Sequence, residues 1–419
     1  MIADPAQRVA AQPASDVHRG IELLRTTSAI RDRAAELLTR ARSGESRWFT
    51  VDDDAMAIAA DEVAAVTRRR YPDLVIPFHS RWRHFESGGV DRLATIDDRL
   101  PTDPVDRARA LIDLAVISVL LDAGAGPGWE FHEAATGLRI GRSEGLAVAS
   151  WHAFVAGEFS SDPGRPLQVD AQALQRLTPE ALGAALQVGP ANPLVGVHGR
   201  VELLRRLGAT LACRPDTFGP SGRPGHLLDF AFSSDGATVS ATDILGALLC
   251  ELSGIWPSDN VIDDRPLGDC WRHDSVSGPG VTAGWMPFHK LSQWLTYSLL
   301  EPLMWTGIEV TSIDKLTPLP EYRNGGLLLD TGVIRLRDKA LASRTWSPGD
   351  ELVVEWRALT TRLIDELAPL VRDSLGVEKA SMPLACVLEG GTWAAGRTLA
   401  ADLRDGLPPL TVASDGTVF

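Results

Sequence analysis

The amino-acid sequence predicts a mainly α (α+β) protein, a helical domain with a small β element. Apolar residues recur at helical spacing through most of the chain. Several of those segments open on a recognisable cap. Runs with strand character are few and short.

Ile30, Ala34, Leu37, Leu38 and Ala41 form one helical stripe, with Gly44 placed to end it. A second helix is expected from the acidic start Asp52-Asp53-Asp54, where carboxylates meet the positive end of the helix dipole, to Arg70, just before Pro72. Asp103-Pro104-Val105-Asp106 combines a capping Asp, a first-turn Pro and a following acid. The apolar stretch behind it carries Asp113 and Asp122, which a helical repeat places on roughly opposite faces, so they do not form a dyad. Further helices are expected at 143–157, 178–188 behind Thr178-Pro179-Glu180, 198–208, 241–253 and 287–304. A long helix is expected after Ser347-Pro348-Gly349-Asp350, read as a capping-box variant.

Leu327-Leu328-Leu329 and Val333-Ile334 flank Asp330-Thr331-Gly332 and predict a hairpin. Short strands are expected at 228–233 and 308–312. The Gly/Pro-rich stretches 213–226 and 256–287 are long loops, of the kind that tends to carry function. The expected organisation is one large helical domain over 21–419 behind a flexible lead of residues 1–20.

Composition removes several function classes. The chain has 419 residues, 44% hydrophobic and 23% charged, which is ordinary for a globular protein. Its net charge of −14 and pI near 5.1 lack the basic balance of a nucleic-acid binder. Cys213, Cys250, Cys270 and Cys386 are scattered and form no C-x-x-C pair, which argues against a disulfide framework or a cysteine zinc site. Residues 1–20 lack a signal-peptide h-region, and Asp113 and Asp122 interrupt the most apolar stretch, 109–125. A cytoplasmic protein without membrane contact is the expectation. H-E-x-x-H, G-x-G-x-x-G, Walker and G-x-S-x-G motifs are missing, and His79 and His84 stand five apart, wrong for one helical or strand face. Neither metal nor cofactor is expected.

The candidate site residues fall in a few clusters. His79-Ser80-Arg81-Trp82-Arg83-His84-Phe85 follows Ile76-Pro77. In an extended segment Arg81 and Arg83 would point one way, a geometry suited to a phosphate, with Trp82 turned to the core. The alternative is that the arginines cap helix ends or pair with carboxylates. Asp122 either caps a neighbouring backbone or contacts a ribose hydroxyl. Glu144 either pairs with Arg142 or joins the site. His289 and Lys290 sit at a helix start, a natural anion site, although such a lysine is often merely solvated. The glycines of Glu389-Gly390-Gly391-Thr392-Trp393 imply a tight turn or a close approach to a ligand. Trp129, Trp271, Trp285 and Trp393 are candidates to stack on a substrate.

Several longer blocks carry a resemblance: His79–Phe85, Ser118–Gly126 with Trp129, Arg142–Ala147, Gly222–Gly225, Leu319–Gly326, Glu389–Trp393 and the terminal Ser414–Phe419. Over about residues 20–419 the chain resembles the uracil-catabolism protein family of fungi and bacteria. The resemblance implies a place in a route that opens uracil, as its nucleotide, and ends in urea and a three-carbon acid. Leu316-Thr317 followed by Glu321-Tyr322-Arg323 is similar to the Leu-Thr…Asp-Tyr-Arg stretch of the queuosine-nucleotide salvage glycosidases, which implies a glycosylase-like helical fold. Glu321 takes the place of their catalytic Asp, Tyr322 and Arg323 match directly, and Asn324-Gly325-Gly326 replaces Val-Pro-Gln.

Together the two resemblances imply an N-ribosyl hydrolase that releases urea from ribosylurea, as its 5-phosphate. A carboxylate suits the cationic centre of such a cleavage. Glu321 and Asp122 are the catalytic candidates. His79, Arg81, Arg83, His84, Glu144, Trp285, His289, Lys290, Tyr322, Arg323 and Trp393 are the candidates for binding substrate or phosphate. The competing readings are an amidohydrolase on the opened pyrimidine and a ligand-binding or scaffold subunit associated with the ring-opening enzyme. The amidohydrolase would call for a metal cluster or a nucleophile–base pair.

Overall fold

In the computed structural model, which describes residues 16–231, 238–256 and 259–413, the capping signals mark where helices start. The Thr26 hydroxyl accepts from Ala29 N and opens the helix Thr27–Arg42; Gly44, at φ +82°, follows its end. The Asp103 carboxylate accepts from Val105 N and Asp106 N at the start of Pro104–Leu120. Thr178 does the same for Pro179–Ala185. Met56–Arg70, Arg142–Val155, Val197–Ala212 and Ala241–Leu252 form within a few residues of expectation.

Two helices form the centre. From Ala108 onward Pro104–Leu120 is buried almost all round, and so is Lys290–Met304 from Leu291 to Leu300. A helix without a polar face belongs inside a core, and these two pack on each other. Glu351–Leu375 lies against both Thr27–Arg42 and Met56–Arg70, and Tyr322–Asp330 packs along Trp393–Arg404. One continuous apolar cluster takes in residues from Leu38 to Leu410.

Among the described residues every sheet has two strands. Phe49–Val51 pairs antiparallel with Ile334–Leu336, in the register Phe49 to Leu336. Thr238–Ser240 runs parallel to Glu309–Thr311, the strand expected at 308–312. Cys270–Arg272 pairs antiparallel with Trp285–Pro287 inside the long 256–287 stretch. No described helix is long and apolar enough to cross a membrane.

Several expectations are corrected. The 327–334 hairpin does not form: Leu327–Leu329 lie in the helix Tyr322–Asp330, and Ile334 pairs with Val51. A short leucine run suits a buried helix as well as a strand; here the Glu321 cap decides. At 228–233, Leu228–Ala231 continue the 3-10 helix Pro224–Ala231, while 232 and 233 lie outside the described residues. The helix expected from Pro287 starts at Lys290, because Pro287 ends a strand and His289 turns the chain at φ 50°. The long helix forms as expected at Glu351–Leu375, and of the capping box before it the reach-back bond is made, with Asp350 Oδ2 accepting from Ser347 N. The segment expected to be extended contains the helix Arg81–Phe85. The flexible lead falls mostly on residues 1–15, outside the described residues, and Asp16–Leu24 is helical. The terminal block Ser414–Phe419 also lies outside them.

Candidate active site

Where the two central helices approach the Tyr322–Asp330 helix, the structure leaves a cavity of about 330 Å³. Its walls come from His79 and His84, from Asp122–Pro127, from Arg142 and Ser143, and from Lys290, Leu291 and Trp294. Leu319, Glu321–Arg323, Trp393 and the 406–412 segment complete it. Aromatic and apolar groups surround a few convergent charges, the usual composition of a small-molecule site.

Glu321 is fixed by its own helix. As the N-cap of Tyr322–Asp330 it accepts from Arg323 N through Oε2 and from Asn324 N through Oε1, both at 2.6 Å. Burial raises its pKa, against the lowering pull of those two N–H groups and of Lys290. Such a carboxylate cannot swing, and it sits at the positive end of a helix.

Asp122 stands just past the end of Pro104–Leu120. Its Oδ2 lies 2.9 Å from Arg81 Nη1 and accepts from the Ser143 hydroxyl at 2.8 Å. Burial alone would raise its pKa, but the Arg81 guanidinium, His84 and the Ser143 hydroxyl hold it below the usual range. Lys290 stands in the field of both carboxylates. Burial lowers its pKa, while Glu321 and Asp122 are among the groups that oppose the shift.

The two histidines are held differently. His79 Nδ1 is 2.8 Å from Glu389 Oε2, and Glu389 also accepts from Arg70 at 2.7 Å and from the Tyr71 hydroxyl at 2.9 Å. Burial disfavours the Glu389 carboxylate, yet His79 and Arg70 bring its pKa down to about 2. His84 Nδ1 faces Arg81 Nη1 at 3.1 Å and Ser143 Oγ at 3.0 Å. Burial, and then the adjacent Arg81 cation, lower the His84 pKa to about 4. Both rings lie on Trp294, with centroids 4.5 and 5.7 Å away.

Arg323 is 3% exposed and lines the cavity. Its Nη2 donates to Gly406 O at 3.2 Å, and its guanidinium carbon lies 4.8 Å from the Tyr322 ring centre. Its buried Nε and Nη1 have no hydrogen-bond partner among the described residues. A buried donor without an acceptor is costly, and that cost is relieved when an anionic ligand supplies one.

Eight of the residues singled out from sequence thus meet at one cavity: His79, His84, Asp122, Lys290, Glu321, Tyr322, Arg323 and Trp393. The rest stand elsewhere. Arg81, fully buried, is committed to Asp122, Ser118 and Ser143, one layer behind the wall. Arg83 pairs with Glu301 at 2.9 Å and with Glu86 at 3.4 Å. The Arg81–Phe85 helix makes the two arginines diverge, so the phosphate grip expected of an extended segment does not form. Trp82 is buried as expected and donates to Ser298 O. Glu144 pairs with Arg397 and not with Arg142. His289 Nε2 is 3.0 Å from Leu24 O, away from the cavity. Trp285 is buried under the Arg272 guanidinium, 3.8 Å from it.

The glycines of the 389–393 block lie in a helix, not a tight turn, and pack against a neighbouring helix. Leu388–Thr392 is one π-helical turn, and a Cβ on Gly391 would fall 2.5 Å from Val63 O in the Met56–Arg70 helix. Sequence reasoning missed Glu389 as the partner of His79, and it missed Ser143, Arg142 and Trp294 as wall residues. Trp294 was legible, since it stands one helical turn beyond Lys290 on the same face. Among the described residues no group of three His, Cys, Asp or Glu is placed to hold a metal ion.

The family described as "Protein of unknown function (DUF1688)" matches residues 23–419. "Protein urg3" of Schizosaccharomyces pombe is 38% identical over 401 residues, covering 93% of this chain and 96% of that protein. "Uracil catabolism protein 4" of Lachancea kluyveri is 36% identical over 440 residues, covering 96% and 100%.

Proposed function

We propose that this chain, which belongs to the DUF1688 family, acts in uracil catabolism as an N-ribosyl hydrolase, releasing urea from ribosylurea 5-phosphate. The pathway comes from the name of the Lachancea relative. The reaction rests on the cavity, and one observation carries it: two fixed carboxylates and a buried, half-satisfied arginine share one wall.

Cleavage of an N-ribosidic bond develops positive charge at the anomeric carbon. Asp122, held ionised, can face that charge, and Glu321, its pKa raised by burial, can take a proton from the attacking water and return it to the departing ureido nitrogen, which leaves as urea. Glu321 spends one acceptor site of each oxygen on its helix; a carboxylate has about four, so others remain for substrate. Of Arg81, Arg83 and Arg323, the arginines expected from sequence to hold the phosphate, Arg323 is the one that lines the cavity, with Arg142 and Lys290 also there. Arg323 brings a guanidinium to the cavity wall, a permanent positive charge that suits an anionic phosphate.

The test is urea release by Glu321→Gln beside the native protein. Gln keeps one acceptor oxygen for the helix cap, so folding by circular dichroism should be retained. Urea release should fall by about 10²–10⁴-fold, the usual contribution of a positioned acid or base. A fully active Glu321→Gln would remove this residue from the mechanism.

A further inference from the structure

We propose that His79 and His84 form a hydrogen-bond donor–acceptor pair that reads the carboxamide edge of a ureido group. This deepens the reading above, on which it rests for the identity of the substrate.

In each histidine the partner of Nδ1 fixes what the other ring nitrogen can do. His79 Nδ1 faces Glu389 Oε2 at 2.8 Å. A carboxylate only accepts, so His79 Nδ1 carries the hydrogen, and in the neutral ring Nε2 keeps its lone pair. His84 Nδ1 faces Arg81 Nη1 at 3.1 Å, and a guanidinium only donates. The hydroxyl hydrogen of Ser143, the other neighbour of His84 Nδ1, points to Asp122. His84 Nδ1 is therefore the lone-pair side, and the hydrogen sits on Nε2. Neither Nε2 has a partner among the described residues, and both rings line the cavity.

The pair thus presents an acceptor and a donor, both on rings that lie against Trp294. A terminal –CO–NH₂ presents the complement, N–H to His79 and C=O to His84. A carboxylate, acceptor only, would leave the His79 lone pair facing an oxygen. Arg81 behind His84 opposes the second charge that an acid-binding imidazolium would need. The site therefore selects a neutral ureido or carboxamide end over the corresponding acid. The selectivity should be about tenfold for each directed hydrogen bond lost.

The experiment is long-range ¹H–¹⁵N spectroscopy of the full chain labelled on histidine, assigned with His79→Gln and His84→Gln. The native spectrum is expected to show His79 protonated on Nδ1 and His84 on Nε2. Acetamide and N-methylurea should shift both Nε2 signals, and acetate should bind at least tenfold more weakly. Identical tautomers, or acetate binding as well as acetamide, would overturn the proposal. If a variant fails to fold, the native titration alone still decides, with selectivity for the amide as the outcome that supports it. Failure of the hydrolase reading looks different: the tautomers and amide selectivity stand while ribosylurea stays intact.

Discussion

Arg323 shows how a single side chain redirects a functional reading. From sequence it was the lesser member of a phosphate site led by Arg81 and Arg83. The structure pairs those two with Asp122 and Glu301 away from the cavity, each keeping one unmatched buried donor, while Arg323 keeps two and lines the cavity. Arg323→Gln should therefore raise KM for ribosylurea 5-phosphate by tenfold or more. A charge-assisted hydrogen bond is worth about 1.5–3 kcal/mol. The same change should leave KM for unphosphorylated ribosylurea within about threefold, and steady-state kinetics on the two substrates check this. Equal losses on both would mean that Arg323 supports the wall and does not read phosphate. Glu321 was legible because its motif is contiguous. Glu389 was not, because its role depends on His79, 310 residues away in the chain.

At the scale of elements, local signals predicted what local physics decides. The caps at Asp103 and Thr178 and the stripe from Ile30 to Ala41 gave helices where expected, since each depends on neighbours in sequence. The misreadings arise where a local signal is ambiguous or tertiary context decides. Leu327–Leu329 could satisfy a strand or a buried helix, and residues 81–85 took a helical turn once Arg81 had buried partners at Ser118 and Asp122. The π-helical turn at Leu388–Thr392 is the sharpest case, because its glycines answer to another helix. Gly391→Ala should destabilise by about 1–3 kcal/mol, the cost of overpacking a close contact. Gly246→Ala, in the Ala241–Leu252 helix with nothing near its added Cβ, should be neutral or stabilising by up to about 1 kcal/mol. Urea denaturation of the two variants checks the contrast, and equal stability would contradict the packing argument.

For the whole molecule, burial around the cavity ties stability to pH. His84 has its pKa lowered from 6.5 to about 4, so below pH 6.5 the unfolded chain takes up a proton that the folded chain refuses. Stability should fall from pH 6.5 to about 4, by on the order of 3 kcal/mol at most. Glu389 and Asp269, both lowered to about 2, extend the loss. Their contribution is complete above the unfolded carboxylate range and disappears as pH falls toward 2. Glu321, Glu301 and Asp113, raised by burial, act in the opposite sense and soften the acid limb. Thermal melts from pH 7 to 4 should show the first decline, and His84→Gln should flatten it; a native melting temperature unchanged down to pH 4 would contradict the account.

Hydrolysis of an N-ribosidic bond in this cavity is the proposal on which the rest depends. Its most direct test is incubation of the pure, chelator-treated protein with ribosylurea and with its 5-phosphate, assaying free urea. Urea is expected from both, faster at low substrate from the phosphate ester, without added metal or partner. Tight binding of both compounds with no urea released would contradict it and leave a ligand-binding protein.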